Sequence, residues 1–182
     1  MRITTLGRGN IGGGLAHLWE RAGHQVTRLG RDGGDASDAE VVLVAVPGGS
    51  IAEALDKLTG AAGKTVIDAT NLYGVVPPDG FASNAEFVKS KTGGPTAKSF
   101  NINFASLLGR LGEARVRPSN LWCGDEAARD AVEQLNRDAG YDPVYTGPIE
   151  KAAAQEALVP VIVAISEAMG PYVYRFAPVE RL

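Results

Sequence analysis

The chain has 182 residues, 45% of them hydrophobic, and a formal net charge of −3. That length suits one full domain, or a domain with a small appended lobe, and buries roughly 70% of the unfolded surface without disulfide or metal staples. The slightly acidic balance speaks against a nucleic-acid partner, one cysteine excludes an internal disulfide framework, and two histidines without a Cys/His cluster speak against zinc.

The first strand is expected at Arg2 to Leu6, so no secretory leader is expected ahead of it. It runs directly into Gly7-Arg8-Gly9-Asn10-Ile11-Gly12, and then into the helical pattern of Leu15, Ala16, Leu18 and Trp19, which extends to about Ala22 with Gly23 as its stop. Strand, glycine turn and helix in that order form a dinucleotide-binding fingerprint. Gly7 permits the tight turn, Gly9 lets the backbone approach a pyrophosphate, and Gly12 lets the helix pack closely on the strand. The free N–H groups of the helix start, with the helix dipole, favour the anion.

His24 to Leu29 reads as the second strand and Val41 to Val46 as the third, with only Asp32 to Glu40 between them. Nine residues at about 3.3 Å each reach roughly 30 Å, enough to return to the bottom of a sheet but not to build another helix and strand. The sheet should therefore be abbreviated after its second strand. Pro47-Gly48-Gly49 ends the third strand, and Ser50-x-x-Glu53 is a capping box for a helix to about Leu58. Lys64 to Asp68 is the next strand. The Pro/Gly-rich loop from Asn71 to Ala82, with Tyr73, Pro77 and Pro78, is either a lid or a surface excursion. Ser83-x-x-Glu86 caps a short helix, and Thr96 to Phe100 is the fifth strand.

Strands alternating with helices predict an α/β protein with a doubly wound parallel sheet. Leu108 to Asn120 reads as a connector. Beyond it Leu121 to Gly124, Asp125 to Ala139, Pro143 to Tyr145 and Ile149 to Met169 read as strand, helix, strand and long apolar helix, a small C-terminal α/β lobe. The expected division is a dinucleotide-binding domain over 1–107, a connector over 108–120 and the lobe over 121–182. The longest apolar stretch, Ala157 to Ile165, contains Pro160 and falls far short of the roughly 20 residues that span a bilayer. No membrane association and a cytoplasmic location are expected.

These residues resemble the NADP-dependent oxidoreductases of coenzyme F-420, an 8-hydroxy-5-deazaflavin. The resemblance covers nearly the whole chain and rests on the Gly7 to Gly12 turn, Val46-Pro47, Val66-Ile67-Asp68-Ala69-Thr70-Asn71, Lys98-Ser99-Phe100-Asn101, Cys123-Gly124-Asp125 and Tyr145-Thr146-Gly147-Pro148. It implies a Rossmann domain with a small C-terminal lobe, NADP(H) at the glycine turn, and a homodimer. Relatives with the same domain use flavin or iron as acceptor, so coenzyme F-420 or a flavin is the expected co-substrate.

The choice of NADP(H) is argued locally. An NAD enzyme places a carboxylate at the end of the second strand for the ribose 2′-OH, whereas this strand ends Leu29-Gly30-Arg31. The Arg31 guanidinium can pair bidentately with a 2′-phosphate. Asp32 follows it, and Arg8 lies between two of the glycines. Ligands in open α/β sheets sit beyond the carboxyl ends of the strands. That places Val46, Pro47 and Gly48 beside the ribose or nicotinamide, with Asn71 or Asn101 to orient the carboxamide and Asn103 nearby.

No catalytic residue is assigned. His17, His24 and Cys123 read as structural, and no proton-donating Ser-Tyr-Lys or His group is visible. Hydride transfer between two aligned rings needs position more than a side-chain acid. Arg110, Arg115 and Arg117 are either solvated or a lure for an anionic coenzyme tail. Ala152, Ala153, Ala154, Ala157, Leu158, Val161, Ile162 and Ile165 give the last helix a wide apolar face, part for the sheet and part for a dimer contact or the acceptor site. Two other readings compete: a NADP(H)-binding sensor without turnover, and a small imine or keto reductase.

Overall fold

The computed structural model describes residues 1–78 and 80–181. Asp79, in the Pro/Gly-rich loop from Asn71 to Ala82, and Leu182, at the end of the expected lobe, lie outside the described residues. The elements in chain order are β1 (Arg2–Leu6), α1 (Asn10–Arg21), β2 (Gln25–Leu29), β3 (Gly34–Asp35), β4 (Val41–Val44), α2 (Ile51–Asp56), β5 (Leu58–Thr59), β6 (Thr65–Asp68), α3 (Asn84–Thr92), β7 (Thr96–Ser99), β8 (Ser119–Gly124), α4 (Arg129–Asp138), β9 (Asp142–Tyr145), α5 (Ala152–Glu156) and α6 (Val159–Met169).

Seven strands form one sheet in the order β2-β1-β4-β6-β7-β8-β9. The first five are mutually parallel. The chain starts in the middle at β1, adds β2 on one side, then crosses to β4 on the other, so the order reverses between β1 and β4. A ligand crevice opens at such a point, above the carboxyl ends of the strands. β4, Val-Val-Leu-Val, is wholly buried because helices cover both of its faces. Val41 and Leu43 join the core made with Leu15, Trp19, Ile67, Trp122 and Leu135. Val42 and Val44 join the opposite core, with Ile51, Leu55, Phe87 and Val88.

The sheet is abbreviated as the spacing requires: β2 is its edge. In place of an outer helix and strand, the short return carries β3, which pairs with β5 in a separate two-stranded parallel ribbon. This ribbon ties the loop after β2 to the end of α2.

The C-terminal segment is not a detached body. β8 hydrogen-bonds antiparallel to β7, with Lys98 opposite Cys123, and β9 continues the same sheet. A 3-10 segment, Ala105–Glu113, runs into the first half of the expected connector, and its Leu108 and Leu111 are buried in the core beside α1. Trp19 Nε1 donates to the carbonyl of Leu135 at 2.9 Å, joining α1 to α4.

Two local expectations are corrected. Ser50 makes no side-chain cap, because a 3-10 turn over Gly48–Ser50 precedes α2 and removes the extended backbone a capping box needs; Glu53 bonds Lys57 instead. The Ser83 cap does form, its hydroxyl accepting from the Glu86 N–H at 3.2 Å, while the Glu86 carboxylate accepts from Ala82 N–H. The expected helix over Ile149 to Met169 is broken into a 3-10 turn, α5 and α6, with Pro160 in the first turn of α6, where a missing N–H costs nothing. By length and composition alone this stretch, mean hydropathy 1.4, matches a membrane span, though the expectation was that none exists; only 22% of that window is buried.

Candidate functional site

The three glycines of the turn do three different things. Gly7 has φ +112, a backbone that side chains resist, and a Cβ there would run into the carbonyl of Ala45. A Cβ on Gly12 would strike the Gly7 carbonyl, so its absence sets the close approach of α1 to the strand. Gly9 differs: a Cβ there meets nothing within 4 Å, because this backbone faces open cleft. Gly9 is also the N-cap of α1, with no side chain bonded to the helix start and no acidic residue in the first turn. Asn10 opens that helix and Ile11 turns toward the cleft. The turn thus offers unshielded N–H donors to an anion, as a pyrophosphate requires.

A cavity of about 920 Å³ extends from Gly7, Arg8 and Gly9 across Gly30, Arg31 and Asp32 to Glu53 and Lys57. The Arg8 guanidinium lies against Gly30, so a side chain there would have to displace it. Arg31 sits on a loop held from two sides. Gly33 N–H donates to the Gly30 carbonyl at 3.2 Å, and Gly34 N–H donates to the Lys57 carbonyl at 3.1 Å through the β3–β5 ribbon. Lys57 Nζ in turn donates to the Arg31 carbonyl at 3.4 Å and to Glu53 Oε1 at 2.7 Å. That partner holds the Lys57 ammonium above its usual range and the Glu53 carboxyl below its own. Three basic side chains therefore face this end of the cleft, and one of the two acids, Glu53, is already paired. Lys57 was missed in the sequence, although Glu53 and Lys57 at i, i+4 are a helix pair in plain view.

A second cavity, of about 410 Å³, adjoins the first through Ala45, Val46 and Pro47 and continues along Ile11, Gly48, Ala69, Thr70, Asn71, Tyr73 and Val75. Its walls are mostly apolar, and among the described residues Tyr73 is the only ionisable one on them. Gly48 is packed so closely that a side chain would collide with the Asn71 carbonyl. Asn84 Nδ2 bonds both the Gly48 carbonyl and Thr70 Oγ1, joining the loops after β4 and β6.

Asn71 and Asn101 are bonded to each other. Asn71 Nδ2 donates to the Asn101 carbonyl at 2.6 Å, and Asn101 Nδ2 donates to Asn71 Oδ1 at 3.0 Å. Asn101 is buried beneath Asn71, and neither cavity reaches it. Its expected contact with the carboxamide is therefore replaced by a supporting one. Asn71 faces the cleft and retains one N–H and one lone pair, the donor and acceptor that a carboxamide needs. Phe100, just before Asn101, is the one non-glycine with positive φ among the described residues, at +63. The bend costs on the order of 1–3 kcal/mol, while its ring is anchored against Trp19 and Tyr141.

The remaining candidates fall elsewhere. Asn103 turns away to Asn120. His17 is exposed on α1, and His24 bonds Asp138 and the amino group of Met1. Burial pushes the Cys123 thiol up to about 12, leaving it inert. Arg110 is spent on its neighbour Glu113. Among the described residues, no group of His, Cys, Asp or Glu could hold a metal ion.

No family model matches the chain, and no curated protein does. Solved structures do. A protein of Arthrobacter sp. FB24 assigned as an F-420-dependent NADP reductase is 26% identical, covers 97% of this chain and 99% of its own, and has a TM-score of 0.82. A hypothetical protein of Sinorhizobium meliloti is 24% identical over 83% of this chain and 86% of its own, with a TM-score of 0.62. A reductive aminase of Aspergillus terreus, solved with NADPH and ethyl levulinate, shares the fold at 15% identity and a TM-score of 0.66; 92% of this chain matches 63% of that one. Sequence and fold therefore agree that, over nearly its whole length, this chain is similar to the F-420-dependent NADP reductases.

Proposed function

We propose that the protein is an NADPH-dependent oxidoreductase that transfers hydride to or from a planar deazaflavin, coenzyme F-420, or a flavin-like ring. The observation that carries this reading is the polarity of the cleft: basic at Arg8, Arg31 and Lys57, apolar and without a carboxylate or imidazole at Val46, Pro47, Asn71 and Tyr73. The first end suits a 2′-phosphate, which carries about −1.5 to −2 charges. The second suits two stacked rings. When bound, NADPH would supply a hydride for the acceptor ring, with the accompanying proton taken from water. The glycine turn holds the pyrophosphate, Asn71 orients the carboxamide, and Val46 and Pro47 offer an apolar wall to a ring.

The likeness to reductive aminases supports a second reading, imine reduction. It requires a proton donor, and Tyr73, 67% exposed, is the one phenol on the wall. The exposed apolar residues of α6, Val161, Ile165 and Met169, offer a surface that a second copy of the chain would cover. The functional test is anaerobic mixing of the protein and NADPH with deazaflavin, flavin, ferric and imine acceptors while absorbance is followed. Turnover with a deazaflavin or flavin is expected. Turnover confined to imines selects the second reading, and NADPH binding with no turnover on any acceptor makes the protein a sensor.

A further inference from the structure

The most expensive group in the molecule lies outside the hydride path. Lys98, on β7, is wholly buried. Its ammonium spends all three protons: on Asp68 Oδ2 at 2.8 Å, on the Thr70 carbonyl at 2.6 Å and on Glu156 Oε1 at 2.5 Å. Asp68 Oδ1 also accepts from Thr70 N–H at 2.9 Å. Both main-chain polar groups of Thr70, which lines the smaller cavity, are thus held by one buried ion pair. Asn71 is the next residue.

The neighbouring residue of α5 holds Asn71 from the other side. Gln155 Nε2 donates to Asn101 Oδ1 at 2.7 Å and to the Leu121 carbonyl at 3.2 Å, and Asn101 is the partner of Asn71. Two adjacent side chains of one short helix therefore brace the two supports of Asn71. A buried ammonium with two carboxyl partners is a poor way to gain stability, since well-packed apolar residues commonly do as well or better. It is a good way to fix geometry, because each member has a single satisfied arrangement.

We propose that Lys98, Glu156 and Gln155 form a positioning strap that locks α5 to the floor of the nicotinamide end and sets the side chain of Asn71. The strap rests on the reading of Asn71 as the group that meets the carboxamide. It predicts that loosening α5 harms the nicotinamide end of the ligand and spares the adenosine end, which is held by Gly9, Arg8 and Arg31 on the other half of the cleft.

The test uses Glu156→Ala, which leaves the Lys98–Asp68 pair intact and so keeps the fold, with Gln155→Ala as the second arm and Glu156→Gln as the conservative variant. Affinity is measured for NADPH and for its fragment lacking nicotinamide, 2′-phospho-ADP-ribose. Glu156→Ala and Gln155→Ala should each weaken NADPH about 10-fold relative to the fragment, and slow single-turnover hydride transfer by up to about 10²-fold, the effect of a misplacement near 1 Å. Glu156→Gln, whose amide oxygen still accepts from Lys98, should restore both. An unchanged NADPH-to-fragment ratio in both alanine variants, even with a lowered Tm, overturns the strap while leaving the cofactor reading intact. Failure of the unmodified protein to bind NADPH overturns the cofactor reading and the strap with it.

Discussion

Lys57 Nζ lies 3.4 Å from the main-chain carbonyl of Arg31, across a ribbon that the abbreviated sheet has put where an outer helix would stand. The two cations reach the same cavity from different segments, one from the loop after β2 and one from the end of α2. NADPH should bind more tightly than NADH for this reason. Arg31→Ala should remove about 1.5–3 kcal/mol of that preference, the range for a charge-assisted hydrogen bond. Lys57→Gln should remove a smaller part, and Glu53→Gln, by freeing Lys57, should enlarge it. Titration calorimetry with both cofactors checks this; equal affinities in the unmodified protein would remove the case for a 2′-phosphate site.

Gly9 and Gly12 should respond oppositely to the same change. Gly9→Val places its side chain in open cleft, at φ −73, which valine accepts, so the protein should fold with its Tm nearly unchanged and lose NADPH binding. Gly12→Val drives a side chain into the Gly7 carbonyl and should unfold or strongly destabilise the protein. Thermal melts beside NADPH titrations separate the two. A folded Gly9→Val variant that binds NADPH normally would reduce the turn to a structural role.

This contrast shows what the sequence makes legible. The glycine turn was readable because its meaning lies in order along the chain: strand, three glycines at fixed spacing, helix. The missing outer strand was readable because Asp32 to Glu40 is too short to hold one. The Lys98–Asp68–Glu156 cluster was not, because its members come from segments up to 58 residues apart that only the fold brings together, and although the Glu53–Lys57 helix pair can be read locally, the β3–β5 ribbon that carries Lys57 to Arg31 cannot. The direction of β8 was equally hidden. Six apolar and polar residues in a row, Ser119 to Gly124, look alike in a parallel or antiparallel partner, and the long Ala105–Glu113 turn decides which. Asn101 lies at the expected end of the sheet but is buried beneath Asn71, and a residue's depth below a cleft is not written in its position along the strand.

Glu156 should make stability depend on pH in the direction opposite to an ordinary ion-paired carboxylate. Burial raises its proton affinity above the usual carboxylate range, with Lys98 opposing and Asp68 adding to the effect. A raised value in the folded state means the proton is bound more tightly there than in the unfolded chain. The associated stability is present below the unfolded carboxylate value and is lost as pH rises through the folded one. Glu156→Gln cannot titrate, so its stability relative to the unmodified protein should climb between acid and neutral pH, by roughly 1.4 kcal/mol for each unit by which the value is raised. Chemical denaturation at several pH values measures it. A difference that stays flat or falls with pH would mean Glu156 is ionised throughout.

The hydride step should tolerate the loss of Tyr73 and of both histidines. Tyr73→Phe removes the only ionisable group on the wall of the smaller cavity, and His17→Ala and His24→Ala remove the two imidazoles, one exposed on α1 and the other bonded to Asp138. Each should lower the single-turnover rate with a deazaflavin or flavin by far less than the roughly 10²–10⁴-fold that follows loss of a general acid or base. Asp68 does not belong in this comparison, because it is buried against Lys98 and its removal would leave the ammonium with Glu156 as its one carboxyl partner and strip the Thr70 N–H of its acceptor, which disturbs the fold rather than a proton transfer. Asn71→Ala, by contrast, takes away the group that orients the carboxamide and should cost on the order of 10²-fold in rate, since position is what the site contributes. The rates are read by stopped-flow absorbance with NADPH prebound. If Tyr73→Phe proved the crippling change and Asn71→Ala a mild one, the site would be protonating its substrate, and the imine reading would take the place of ring-to-ring transfer.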